Sequence, residues 1–389
     1  MFYINITFGT RGTVTQKMDA NITIIGAGVI GLAIAAELSK EHSSVFVIEK
    51  NMKFGQEISS RNSEVIHSGV YYPEGSLKAR LCVEGRELIY RFCEEKNVAY
   101  KKCGKLILAV NLSECTQLPG ILEQSRKNGV LDAYIIDKPE IEKLEPHILA
   151  EKAIYFPSTG IIDTYGLMKQ LETDAVNQGV QFVYGAKVIR IKVLKEGFEI
   201  QLLDSDGEKF SFTTRKLVNS AGLDASNIAR SLGINETKYE VFFWKGEYFS
   251  VGRGKSRFIK RLVYTVPEKN TVGLGIHATV ELDGRLRLGP NALYIGNGSY
   301  DYSVDPGHKE HFYYFAKRFL PFLEPEDLNP DQAGIRPKLQ KPDDPVRDFI
   351  INEESNKGFP GLINLIGIES PGLTACLSIG MYVRKLIRA

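Results

Sequence analysis

The sequence has no CxxC pair, no block of basic residues, no internal repeat and no low-complexity tract. It also lacks an apolar run long enough to cross a bilayer, since the nearest, residues 362–379, is interrupted by Glu369 and Pro371. Each absence removes a class of function. Five cysteines (Cys82, Cys93, Cys103, Cys115, Cys376) form an odd set without zinc-ligand spacing, which fits reduced thiols better than a disulfide framework or a metal site. A net charge of +2 without clustered cations gives no electrostatic reason for a nucleic-acid partner. The expectation is a small-molecule protein of a reducing compartment, cytoplasmic in the first instance. At 389 residues the chain is too long for one ordinary core, so two packed units are expected. Residues 1–17, ahead of a second methionine, read as an extension: a leader, an added strand or an upstream start.

What is present begins at residues 22–25, a short β-branched run that meets Gly26-Ala27-Gly28-Val29-Ile30-Gly31, after which Leu32, Ala35, Ala36 and Leu38 fall at helical spacing. Strand, glycine turn and helix follow one another. In such a turn Gly26 bends the chain, Gly28 lets backbone approach a pyrophosphate, and Gly31 lets helix and strand pack closely. A second strand, residues 45–48, ends in Glu49 at the offset of a ribose-binding acid. Together these predict a bound dinucleotide.

The chain returns to this nucleotide sheet twice more. Residues 216–222, KLVNSAG, read as a buried strand ending at Ala221-Gly222. Residues 362–366 lead into the loop 367–372 and a terminal helix from about 373 to 388. A helix N-terminus facing a flavin's pyrimidine edge stabilises the negative charge gained there on reduction, whereas a nicotinamide gains no such charge. That argues for FAD over NAD.

Residues 26–31, Glu49, residues 59–82, residues 218–222, Gly334-Ile335-Arg336-Pro337 and the 367–374 loop resemble flavoproteins of the D-amino-acid-oxidase-like superfamily. More narrowly, residues 62–72 (NSEVIHSGVYY), 76–85, Cys103-Gly104-Lys105-Leu106 and 286–292 resemble the L-2-hydroxyglutarate dehydrogenase or oxidase family, over nearly the whole chain from Met18. Glu64 stands where the resemblance implies glycine. The fold implied is α/β, α+β overall: a Rossmann-like FAD-binding domain with a discontinuous, mostly antiparallel β-sheet substrate domain. The expected division is 18–97, 153–230 and 331–389 for the FAD domain, and 98–152 and 231–330 for the substrate domain. FAD contacts are implied for Gly26, Gly28, Gly31, Glu49, Lys50, Ser60, Arg61, Asn62, Ser63, Val188, Ala221, Gly222, Gly367, Glu369, Pro371, Gly372, Leu373 and Thr374.

Oxidation of a 2-hydroxy acid removes hydride from C2 and a proton from the hydroxyl, and the protein must supply the base. Histidine titrates close to neutrality and suits that role. His277, bracketed by Gly275 and Thr279 on one strand face, and His67, in the loop beside the flavin, are the candidates; His42, His147, His308 and His311 sit in polar or helix-edge settings. Arg336, between glycine and proline, is rigidly placed to grip a carboxylate, and the resemblance assigns it the substrate. Tyr72, Arg80, Lys78 and Lys245 are candidates for a second carboxylate of a dicarboxylate substrate. The helix expected from Gly75 to Lys96 carries Leu77, Leu81, Leu88 and Phe92 along one face, so at most one of Lys78 and Arg80 turns inward, and one of Tyr71 and Tyr72 is expected to pack. Amine or glycerol-3-phosphate oxidation, or flavin binding without turnover, are the other readings. The electron acceptor (oxygen, quinone or an electron-transfer flavoprotein) is open. Arg384, Lys385 and Arg388 offer a peripheral membrane contact, with a solvated helix end as the simpler account, and a eukaryotic source would imply mitochondria.

Overall fold

The run Ala20–Ile25 is buried along almost its whole length, as a strand covered on both faces must be. It forms a parallel sheet with Val45–Ile48 on one side and Lys209–Asn219 on the other. The computed structural model describes residues 18–267, 275–296, 298 and 300–388. The extension 1–17, and Gly273 ahead of the His277 strand, lie outside those residues.

Eight strands make the first sheet. Lys209–Asn219 is long enough to serve two neighbours in succession on one edge: its first half runs antiparallel to Phe198–Leu203, its last residues parallel to Phe359–Ile366. The register aligns Ile25 with Ile48 and Asn219, and Asn219 with Asn364. The glycine turn, Glu49, Ala221-Gly222 and the 367–372 loop therefore emerge at one edge, where ligands of open α/β sheets bind. The helix Val29–Leu38 is buried nearly all round, between Thr164–Asn177 and Gly372–Arg388.

The second sheet has nine strands, ordered Leu293–Gly296, Phe242–Val251, Leu286–Leu288, Ala278–Val280, Leu262–Thr265, Lys105–Ala109, Lys152–Phe156 and Tyr134–Asp137, with Leu328–Lys338 also on Phe242–Val251. Its pairs are antiparallel apart from Lys105–Ala109 with Leu262–Thr265. Two of the expected cuts meet this sheet. Lys152–Phe156 and Leu328–Lys338 hydrogen-bond within this sheet, so the cuts at 153 and 331 fall inside its strands.

Ser76 caps the helix Leu77–Lys96 by accepting from the Ala79 amide, and Asn97 ends it with a left-handed φ of 56°. Its buried face is not the expected one. Lys78, Leu81, Cys82, Arg86, Ile89 and Cys93 point inward, while Leu88 and Phe92 are only half-buried. Apolar periodicity misplaces the face because two of the buried positions are cations held by Glu369 and Ser158. The five cysteines are free thiols. Among the described residues no helix is long and apolar enough to cross a membrane. Arg384 and Arg388 pair with Glu37 and Glu41, which engages two of the three cations of that helix end.

Candidate functional site

A cavity of about 1490 Å³ runs from the glycine turn to the face of the second sheet. It exceeds the ~300–1,000 Å³ of ordinary small-molecule pockets, and a dinucleotide with a small acid beside it is of the right size. At its first end, a Cβ on Gly31 would lie 1.9 Å from the Gly26 carbonyl oxygen, and one on Gly26 would lie 2.7 Å from that of Ser220. Only glycines allow this turn. Gly28 caps the helix and faces the cavity, whereas Gly31 makes the packing contact behind it.

Glu49 is buried, with Oε2 accepting from the Ala27 amide and Oε1 from the Asn51 amide and side chain. The carboxylate is thereby oriented at the strand end, with lone pairs left for ribose hydroxyls. Lys50 pairs with Asp224 at 2.9 Å beside Ala221 and Gly222. Val188 lines the cavity at a bulge where pairing skips Ile189, which leaves main-chain groups there for a base edge.

The segment 58–64 crosses the cavity between the sheets. Ser59, not singled out from sequence, accepts the Val29 amide at 2.9 Å and so joins this segment to the helix start. Arg61 lies 4.0 Å from the Tyr302 ring centre, Ser63 bonds the Tyr248 hydroxyl at 2.8 Å, and Asn62 accepts the Glu64 amide. Glu64 itself has a φ of 57°, the left-handed region that favours glycine, which accounts for the glycine expected there. Its carboxylate accepts from the Thr164 amide. Ser60 faces a smaller adjoining cavity instead of the large one.

Glu369, Pro371, Gly372 and Leu373 line the cavity at the start of the terminal helix. Two expected members do not. A Cβ on Gly367 would meet Leu339 at 2.5 Å, so that glycine serves packing, and Thr374 is fully buried, accepting the His67 amide and donating to the Val65 carbonyl. Glu369 is flanked by Lys78 at 2.9 Å and Lys338 at 3.6 Å. Burial opposes its charge, but the two lysines outweigh that and hold its carboxyl below the usual range.

At the other end stand Arg336, His277, Tyr71, Tyr72, Tyr248 and Tyr264. Both Tyr71 and Tyr72 line the cavity, and Tyr71 also packs against the core beneath the second sheet. Arg336 Nη2 donates to the Asn291 carbonyl at 2.7 Å, and Gly246 opposite leaves room for the guanidinium. Asn291 is fastened to Glu247, which is 1% exposed, donating from its side chain at 3.0 Å and accepting the Glu247 amide at 2.7 Å. Replacing Asn291 by alanine should therefore destabilise the fold by about 1–3 kcal/mol, by stranding buried groups of Glu247, and raise KM several-fold with FAD retained; denaturant midpoints and steady-state kinetics check both.

His277 is buried and stacked on Tyr264, ring centres 3.6 Å apart and planes within 5°. Burial first, then the charges of Lys105, His67 and Arg336, keep it neutral to well below the ordinary histidine range. His67 is held down to about 3 by burial and Lys105, with Nε2 3.4 Å from the Ser370 hydroxyl. Three buried polar atoms here have no hydrogen-bond partner among the described residues: His277 Nδ1, Arg336 Nε and the Tyr71 hydroxyl. All three residues line the cavity, and unpaired buried polar groups in one wall mark a place for a polar ligand. Arg80 is not part of it: it is exposed, over the Tyr382 ring. Lys245 is also elsewhere, paired with Asp301 at 2.8 Å. His311, set aside on sequence, contributes to the wall.

The family model described as FAD dependent oxidoreductase matches residues 21–386. The chain is 34% identical to an L-2-hydroxyglutarate dehydrogenase of Arabidopsis thaliana, over 98% of this chain and 86% of that one. It is 30% identical to an L-2-hydroxyglutarate dehydrogenase of Indibacter alkaliphilus, over 93% and 97%. Among solved structures it is similar to FAD-bound L-alpha-glycerophosphate oxidase of Mycoplasma pneumoniae, with a TM-score of 0.83 and 26% identity over 95% and 94%.

Proposed function

Because the chain belongs to the FAD dependent oxidoreductase family, with L-2-hydroxyglutarate dehydrogenases among its relatives, we propose that it oxidises L-2-hydroxyglutarate to 2-oxoglutarate. The observation that carries this reading is the group of stranded buried atoms on His277, Arg336 and Tyr71 at one end of a cavity whose other end is the glycine turn. Bound FAD supplies the acceptor for the hydride that leaves C2.

The residues here divide the remaining work. Arg336, with one donor spent on Asn291, keeps Nε and further N–H groups for the carboxylate next to the reacting carbon. His277, neutral before substrate arrives, takes the hydroxyl proton at Nδ1 as the carbonyl forms. A bound dianion offsets Arg336 and Lys105, so the same histidine becomes a stronger base when it is needed. The Tyr264 ring against it fixes the plane of the imidazole. His67 is the flavin neighbour in this scheme, its segment tied to the terminal helix through Thr374. Relatives named mitochondrial support that compartment where the source is a eukaryote.

Anaerobic addition of L-2-hydroxyglutarate to the FAD-loaded protein should bleach the flavin absorbance, and the D enantiomer should not. The likeness to L-alpha-glycerophosphate oxidase makes glycerol 3-phosphate the second compound to test. Bleaching by it alone would replace the substrate assignment, and bleaching by none of the three would leave a flavin-binding protein without this turnover.

A further inference from the structure

Lys105 opens the strand Lys105–Ala109, every residue of which is buried, and is itself 2% exposed. Its ammonium lies 5.1 Å from the ring centres of Phe156 and Tyr264 and 5.9 Å from that of Tyr71. Among the described residues it has no hydrogen-bonded or ion-paired partner. Other buried lysines are matched, Lys78 by Glu369 and Lys245 by Asp301. Ring faces attract a cation but do not replace the hydrogen bonds it gives up on leaving water; an anion does.

Two rings of this cage, Tyr71 and Tyr264, also line the cavity. Tyr71 brings its stranded hydroxyl, and Tyr264 carries the stacked His277. His277 lies within electrostatic reach of both Lys105 and Arg336. Arg336 thus stands in the cavity wall on one side of His277, and Lys105 stands directly behind the Tyr71 and Tyr264 rings of that wall.

We propose that Lys105 binds the second carboxylate of the substrate, with the Tyr71 hydroxyl donating beside it, and so selects dicarboxylates over monocarboxylates. The inference rests on the dicarboxylate reading above and names the group that Arg80 and Lys245, by their placement, do not provide.

Burial lowers Lys105 to about 8. The titratable groups facing it are His67, held down to about 3, His277, well below its usual range, Cys82, pushed up to about 12, and Tyr71 and Tyr264, raised by burial. In the free protein the shifts of all these groups run away from neutrality, so Lys105 is the group whose loss of charge a transition near 8 reports. Lys105 is charged below that pH, and affinity for a dicarboxylate should fall as pH rises through it.

The test titrates the flavin absorbance of oxidised, FAD-loaded protein with 2-oxoglutarate and with 2-oxopentanoate, which lacks the second carboxylate. The wild type should prefer 2-oxoglutarate by about a hundredfold, and the preference should weaken above pH 8. Lys105→Met should abolish both the preference and the transition while its affinity for 2-oxopentanoate stays within about twofold of wild type. A wild type with no preference, or no transition near 8, overturns the proposal without any variant. Equal weakening of both ligands in Lys105→Met, or of neither, overturns it too. A protein that L-2-hydroxyglutarate reduces but whose Lys105→Met variant keeps the preference refutes the lysine's role alone; one that prefers dicarboxylates through Lys105 yet is not reduced refutes the reaction alone.

Discussion

His277→Gln is expected to lower kcat by about 10²–10⁴-fold, the range of a lost general base, with the FAD spectrum unchanged. Glutamine approximates the imidazole's volume against Tyr264, so the loss is chemical and not a cavity effect. The pH profile gives the independent readout. Since burial and the surrounding cations hold His277 neutral, kcat/KM of the wild type should stay level down through pH 6.5 and fall only well below it. His67→Gln should cost less than about tenfold in kcat, because Nε2 of that ring is directed to the Ser370 hydroxyl in the flavin loop. If His67→Gln proves the slower variant, or His277→Gln keeps wild-type kcat, the base has been misassigned.

Arg336→Met should weaken 2-oxoglutarate binding by about 2–5 kcal/mol, since a desolvated carboxylate loses its charged partner, while FAD stays bound. Retention of FAD is expected because Arg336 lies on Leu328–Lys338, a strand of the second sheet and not of the sheet that carries the glycine turn. Arg336→Lys should recover only part of the loss, because an ammonium cannot both hold the Asn291 carbonyl and present a flat fork. Titration of the flavin absorbance measures both variants. Release of FAD from Arg336→Met would show that this side chain serves the cofactor.

Features that one short segment specifies were legible in the sequence. Gly26 and Gly31 had to be glycines for steric reasons that this strand–turn–helix imposes, and Glu49 followed at the end of the next strand. The departure at Glu64 was equally local, and the left-handed backbone there explains it. Arg336 stood out because glycine and proline flank it, although the partner that orients it, the Asn291 carbonyl, comes from another strand connection. The domain boundaries were harder. The strands at residues 152–156 and 328–338 carry no local mark of the sheet they join, and only the hydrogen-bond partners decide which.

The lysines divide the two kinds of information most sharply. Lys105 and Lys245 each sit inside a buried strand, and residue pattern makes them equivalent. Tertiary structure gives Lys245 a carboxylate 56 residues away and gives Lys105 three aromatic rings. Likewise helical spacing allowed at most one of Lys78 and Arg80 to turn inward, but Glu369 at the far end of the chain is what makes the buried one Lys78. By itself the sequence determined the nucleotide turn and the acid after it, because backbone sterics require those glycines in those places, and it set Arg336 apart between a glycine and a proline. Only the tertiary structure decided which histidine of the cavity wall keeps an unpaired nitrogen and which lysine is buried without an anion, because burying a polar group without a partner is a property of everything packed around it.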